Sequence, residues 1–313
     1  MPHVNLPSAP VTGAVSPDSP PFGCPHLRLV FCHGDDATTF LHGQLSNDVE
    51  GMGTGQVRLN GYLNPKGRMI ATLYLGRLGE NRFAIILADD LADAVLKRLR
   101  MYVLRAKVTF TASEHKLSGC AGHPGFGFDA VEKGGIVESQ AGELLANLGN
   151  RVDRYLLMTA TAPSREPDSG DGRNHWDLLA ITDGVVEVGE AGREKLLPQA
   201  ANLDLAGGVN FRKGCYPGQE IVARLRYLGK LKQRTLGFSA DAKVGPDQAV
   251  FEGERKIGTV VVTASVSADA CHGLMSINFR DIDWSALRSE SGTALAAWLP
   301  PYEIPELSEA END

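Results

Sequence analysis

Lys213-Gly214-Cys215-Tyr216-Pro217-Gly218-Gln219-Glu220 places one thiol on a tight loop, between a lysine and a short amphipathic segment that runs on to Arg224. Gly214 and Gly218 allow backbone angles closed to other residues, while Pro217 fixes one torsion and removes a donor, so the loop is expected to be sharply turned and stiff. Lys213 and a helix N-terminus near Gly218 both favour the thiolate, the form that attacks electrophiles and binds soft metals. The same spacing also suits a cysteine packed as a small hydrophobe between turns. From Arg212 to Arg234 there are seven Lys/Arg and the single acid Glu220, a local charge of +6 in a chain of net charge −7. A solvated face explains such a run, and so does an anionic partner, either a carboxylated small molecule or RNA. Lys97, Arg98, Arg100, Arg105 and Lys107 form a second basic cluster.

The rest of the composition narrows the chemistry. Five cysteines (24, 32, 120, 215 and 271) are scattered with no CxxC pair, which points away from a disulfide framework or a closed zinc site and towards a reducing cytoplasm. No signal peptide and no membrane span is expected. GxGxxG, Walker and HExxH motifs are absent, and Gly51-Met52-Gly53-Thr54-Gly55 reads as a turn rather than a phosphate cradle. The histidines are dispersed and give Cys215 no partner recognisable from sequence.

The positioning elements follow from periodicity. A capped helix is expected over 36–45, a hairpin of strands 56–63 and 68–77 around Asn64-Pro65-Lys66-Gly67, a third strand at 82–87, and an amphipathic helix from 89 to 103 whose stripe is Leu91, Val95, Leu96, Leu99 and Val103. Strands follow at 108–110 and 155–158, short helices at 176–179 and 198–205, and a mobile loop at 161–174; 112–150 has no clear assignment. Runs at 235–239, 249–252, 256–264 and 273–280 indicate a small β-barrel or sandwich. The fold class is α+β. We divide the chain into an irregular lead-in (1–24), a discontinuous first domain (25–60 and 150–230), a second domain (61–149), a C-terminal β-barrel (231–300) and an acidic tail (301–313).

The octapeptide around Cys215 resembles the signature of the YgfZ family of folate-binding proteins, relatives of the glycine-cleavage T-protein. The stretch from Ala37 to Val49 (ATTFLHGQLSNDV), that from Gly61 to Met69 (GYLNPKGRM) and Leu203-Asp204-Leu205 resemble the same family in the same order, over about residues 28–300. The resemblance implies a three-part, cloverleaf-like T-protein fold with a C-terminal small β-barrel, and a central opening for tetrahydrofolate. It also implies a role in maintaining iron–sulfur enzymes, among them ones that thiolate tRNA. In the T-protein branch two acids stand in the corresponding stretch and an acidic residue there assists aminomethyl transfer; here Ala71 and Thr72 stand in their place. Neither serves as a general base, so ordinary aminomethyltransferase activity is not expected.

The resemblance makes Cys215 the functional thiol and a transient iron or cluster ligand, with Lys213, Tyr216, Gln219 and Glu220 around it. Candidates for folate are Asn60, Tyr62, Asn64, Lys66, Arg68, Trp176 and Arg224. Expected partners are folate, iron–sulfur client or assembly proteins, and tRNA. Two alternatives stand beside this reading: a folate-dependent one-carbon transferase or hydrolase using Cys215, and a tRNA-binding adaptor using the basic segment 212–234.

Overall fold

A computed structural model of the protein describes residues 6–10, 15–16, 18–149, 153–160, 171–229 and 231–308. The acidic end beyond 308, most of the loop expected at 161–174, and Lys230 at the expected domain boundary lie outside the described residues. The chain forms β1 (Phe22–Gly23), β2 (Leu27–His33), α1 (Ala37–Gln44), β3 (Val57–Leu63), β4 (Met69–Gly79), β5 (Arg82–Ala88), α2 (Asp89–Val103) and β6 (Thr109–Ala112). Next come β7 (Lys116–Cys120), β8 (Ile136–Glu138), β9 (Leu144–Asn147), β10 (Tyr155–Thr159), α3 (Gly172–Thr182) and α4 (Gln219–Tyr227). The last stretch holds β11 (Gln233–Ala240), β12 (Ala249–Glu252), β13 (Arg255–Ser265), β14 (Cys271–Asn278), β15 (Leu287–Ser289), β16 (Ala296–Trp298) and α5 (Pro305–Ser308).

Three sheets organise these elements, in the orders β3-β4-β5-β2-β6, β1-β7-β10-β9-β8 and β15-β12-β13-β14-β11-β16. In the first, Leu91, Ala92, Val95, Leu96 and Leu99 of α2 are buried, the stripe expected of an amphipathic helix laid on a sheet. The sheets divide the chain differently from the sequence-based domains. The boundary set at 60/61 falls inside β3, and β2, from the first segment, pairs along its whole length with β5 and also with β6. Its apolar residues Leu29 and Val30 are buried there, which a separate domain for 25–60 would prevent.

The unassigned 112–150 stretch supplies β7, β8 and β9 of the second sheet, and α3 starts at Gly172, earlier than expected. The helix expected over 198–205 is a chain of turns, because Asn202 adopts a left-handed φ of 55° and its side chain is locked to the Thr235 backbone on both sides (2.6 and 3.1 Å). In the C-terminal region the strand order is linear. The residues expected to close a small barrel form a curled half-barrel sheet around Leu236, Phe238, Val250, Val260, Met275 and Ile277, without a ladder between β15 and β16.

Candidate functional site

The cysteine loop is held by two contacts that only glycine permits. Gly218 precedes α4 with φ 81°, and a Cβ there would meet Asn64 O at 2.5 Å and Gly67 Cα at 2.7 Å. Gly67, also left-handed, would in turn collide with Ile221 of α4. The turn at 64–67 is itself built by Asn64, whose Oδ1 accepts the N–H groups of Lys66 (2.9 Å) and Arg68 (3.0 Å). So the hairpin turn and the cysteine loop, far apart in sequence, are one packed unit.

A second clasp runs along the loop's N-terminal side. Ser46 Oγ donates to Gly208 O (2.6 Å), Ser46 O accepts the Asn210 N–H (3.0 Å), and Asn47 Nδ2 donates to Gly207 O (2.7 Å). Lys213 Nζ donates to His42 O and to Leu45 O (2.8 Å), carbonyls at the C-terminal end of α1, where a cation meets the negative end of the helix. It also lies 4.7 Å from the centre of the Tyr216 ring. Burial pushes the Lys213 ammonium down to about 8, opposed by Asp48 and Glu50. Lys213 is thus the tether of the loop to α1.

Cys215 is exposed, whereas Cys24, Cys32, Cys120 and Cys271 are buried. Tyr216 is buried beneath the loop, its hydroxyl pushed up to about 12 by burial. Gln219 Nε2 donates to Lys213 O (3.4 Å) and Glu220 faces solvent. His42, which sequence reasoning did not pair with the cysteine, packs its Nε2 edge over Gly214, 3.5 Å from where a Cβ would sit. Among the described residues no group of three His, Cys, Asp or Glu is placed to hold a metal ion.

From Gly207 the clasp leads to a cavity of about 290 Å³, at the lower end of small-molecule sites. Arg58 comes from β3, Tyr74 from β4, Asn147 from β9, Val185 from the segment after α3, and Asn47 with Gly207 from the clasp. A Cβ on Gly207 would meet nothing within 4 Å, so this wall is bare backbone beside open space. Gly51-Met52-Gly53 beside it is a turn: Gly51 N–H goes to Asp48 Oδ1 and Gly53 N–H to Gln56 Oε1, while Arg58 holds Asp48 O and Gly51 O.

Tyr74 continues into a buried polar cluster that sequence reasoning missed apart from Trp176. Arg154 donates to Glu187 Oε1 (2.7 Å) and to Tyr74 Oη, and its Nε lies 3.6 Å from Asp183. Tyr74 (2.8 Å) and Trp176 Nε1 (2.8 Å) both donate to Glu187, and Arg154 stacks 4.7 Å over the Trp176 ring. Burial alone would raise the Glu187 carboxyl, but the Arg154 charge and these donors hold it below its ordinary range. The available signal was a lone arginine opening the apolar strand 155–159.

The expected folate residues fall in three places. Asn60 is fully buried and holds the Asn47 N–H, and Trp176 stands behind Tyr74, so both back the cavity wall. Tyr62 is buried in β3, Asn64 and Lys66 make the hairpin turn, and Arg68 holds Lys195 O (2.7 Å). None of these six lines the cavity, and neither does Arg224, exposed on α4.

On the far side of Tyr74 a cleft of about 40 Å³, room for roughly one water, is lined by Thr72, Asp177 and Glu187 among others. Ala71 is buried, and Thr72 fastens β4 to the next segment, donating to Val186 O (3.0 Å) and accepting the Val188 N–H (3.3 Å). Burial pushes the Asp177 carboxyl up to about 7, against the opposing charge of Arg173. A raised carboxyl costs stability once pH exceeds its unfolded value near ~4, and the cost levels off above the folded value. Asp177→Asn is therefore expected to be more stable than the parent at pH 8 by on the order of 2 kcal/mol, with no gain at pH 4. Thermal melts at the two pH values check this; an equal gain at both would contradict it.

No family model matches the sequence. The chain is 32% identical over 262 residues to the "tRNA-modifying protein YgfZ" of an Enterobacter species (77% of this chain, 79% of that one). It is 29% identical over 301 residues to the protein of the same name from Serratia proteamaculans (89% and 91%). Among solved structures it superimposes on the glycine cleavage system aminomethyltransferase T of Bartonella henselae with a TM-score of 0.75, covering 96% of this chain and 91% of that one at 18% identity. That likeness establishes a T-protein fold.

Proposed function

The chain belongs to the YgfZ family, and from that membership we propose that it is a cytoplasmic folate-binding accessory protein that supports iron–sulfur enzymes, tRNA-modifying ones among them, through the Cys215 thiol. The observation that carries this reading is the continuity of cavity and thiol. Asn47 holds Gly207 at the cavity wall, and the segment from there to Lys213 is clasped to residues 42–47 at each step. A ligand pressing on the wall therefore acts on the backbone that presents Cys215.

The lining fits a tetrahydrofolate ring: concave, with a tyrosine, two asparagines and an arginine among apolar neighbours, and bare glycine backbone for close approach. Bound folate would supply a one-carbon carrier; the protein's residues would orient and shield it. Cys215 offers one soft ligand, which suits a transient contact with a cluster held mainly by the client protein. With Ala71 and Thr72 in the place of the T-protein acids, the transferase reading rests on Cys215 alone.

Titration with tetrahydrofolate is expected to perturb the intrinsic fluorescence of Trp176, which contacts the cavity wall through Glu187 and Tyr74. Trp176→Phe should remove most of the signal. Asn147 holds Val131 O and the Gly149 N–H at the wall, so Asn147→Leu should weaken binding roughly tenfold by unfastening that part of the lining. Saturation without any change in fluorescence, or full affinity in Asn147→Leu by calorimetry, would place the ligand elsewhere.

A further inference from the structure

The basic segment after the cysteine loop is only partly used by the site. Arg234 is buried and bonded to Asp204 and Glu306, and Lys213 is tied to α1. Arg212, Arg224 and Arg226 are exposed, and among the described residues none of them lies within ion-pair distance of a carboxylate. Arg212 follows Phe211 in the chain, and Arg224 and Arg226 share α4 with Tyr227. Phe211 and Tyr227 stand edge to face at 6.3 Å, and the Arg226 guanidinium lies 5.5 Å from the Phe211 ring centre. Tyr227 is 66% exposed and Leu228 84% exposed, so both side chains are open to a partner.

We propose that this face, formed by Phe211, Arg212 and the C-terminal half of α4, binds a single-stranded segment of RNA. Arginines without acidic partners present forked donors to phosphates, and an exposed tyrosine beside a cation-stacked ring presents a π-face to an unpaired base. The net charge of −7 disfavours a polyanion over the surface as a whole, so the contact is confined to a few phosphates at this patch. Because α4 begins four residues after Cys215, the bound strand lies beside the thiol loop. The choice of RNA over DNA rests on the proposed link to tRNA modification; the patch itself does not.

The test is fluorescence anisotropy with the full chain and a labelled unpaired RNA of about 12 nucleotides, within the length range of known single-strand sites. Three phosphate contacts give a slope of log affinity against log salt of about −2. Arg224→Glu with Arg226→Glu should reduce the slope to about −0.7, and Tyr227→Ala should weaken binding roughly tenfold with the slope unchanged. Lys97→Glu with Arg105→Glu, an equal charge change at exposed residues on and just after α2, should leave both unchanged. The proposal is overturned by no binding at about 50 mM salt, where such contacts are strongest. Equal losses in that control, or an acidic peptide binding as tightly, would each overturn it too; DNA of the same sequence binding as tightly would overturn the choice of RNA. Cys215→Ser leaves the patch intact, so failure of the thiol reading with retained RNA binding is separable from failure of this one.

Discussion

Arg154→Leu is expected to destabilise the protein by about 3–5 kcal/mol, lowering the melting temperature by roughly 6–10 °C. The guanidinium is fully buried and bridges β10 to β4 through Tyr74, and to the segment after α3 through Glu187 and Asp183. Removing it leaves the Glu187 carboxylate buried and uncompensated, which costs more than the ion pair itself contributes. Replacing Glu187 as well should recover part of the loss, and the coupling between the two is what a double-mutant cycle measures.

The sign of the pH dependence follows from the same cluster. Because the folded pKa of Glu187 is depressed, its stabilisation is present above the unfolded value near ~4.3 and is lost as pH falls through the folded value. The gap between parent and Arg154→Leu should therefore narrow below about pH 4. Denaturant melts from pH 3 to pH 8 check both claims. A loss under about 1 kcal/mol at pH 7 would mean that the cluster relaxes and does not fix Tyr74 in the cavity wall.

What could be read from the sequence divides by range of interaction. The 64–67 hairpin turn and the α2 stripe are local patterns, and both appear where periodicity puts them. Strands β7, β8 and β9 are only three to five residues long in a Gly-rich stretch, too short to show an alternation. Asn202 defeats a helical pattern by bonding to Thr235, 33 residues away. In the site, the tight turn of the thiol loop was legible because a local motif makes it, whereas its spacing left open whether Cys215 packs or, as found, is exposed. The role of Lys213 was not, because its partners lie 168 and 171 residues away on α1, a distance no spacing argument reaches. Arg154 is likewise tied across 80 residues to Tyr74, so the cavity wall had no motif to announce it.

Cys215→Ala is expected to abolish function while leaving the fold and the tetrahydrofolate affinity nearly unchanged. The side chain is exposed, and exposed substitutions away from special features usually stay within ~0.5 kcal/mol. The loop is fixed instead by Gly218 against Asn64 and by Lys213 on the α1 carbonyls, none of which involves the sulfur. The cavity lies on the other side of the clasp and keeps its lining. Sulfur is therefore the one property lost, and with it soft-metal ligation and thiol exchange. In cells lacking the endogenous protein, the parent chain should restore iron–sulfur enzyme activity and thiolated tRNA, and Cys215→Ala should restore neither at equal expression. Lys213→Met provides the contrast: the thiol remains but its tether is cut, so partial rescue and faster proteolysis at the loop are expected. Full rescue by Cys215→Ala would sink the thiol reading. If purified protein turned over a folate one-carbon unit, and Cys215→Ala abolished that turnover, the transferase reading would replace the accessory one.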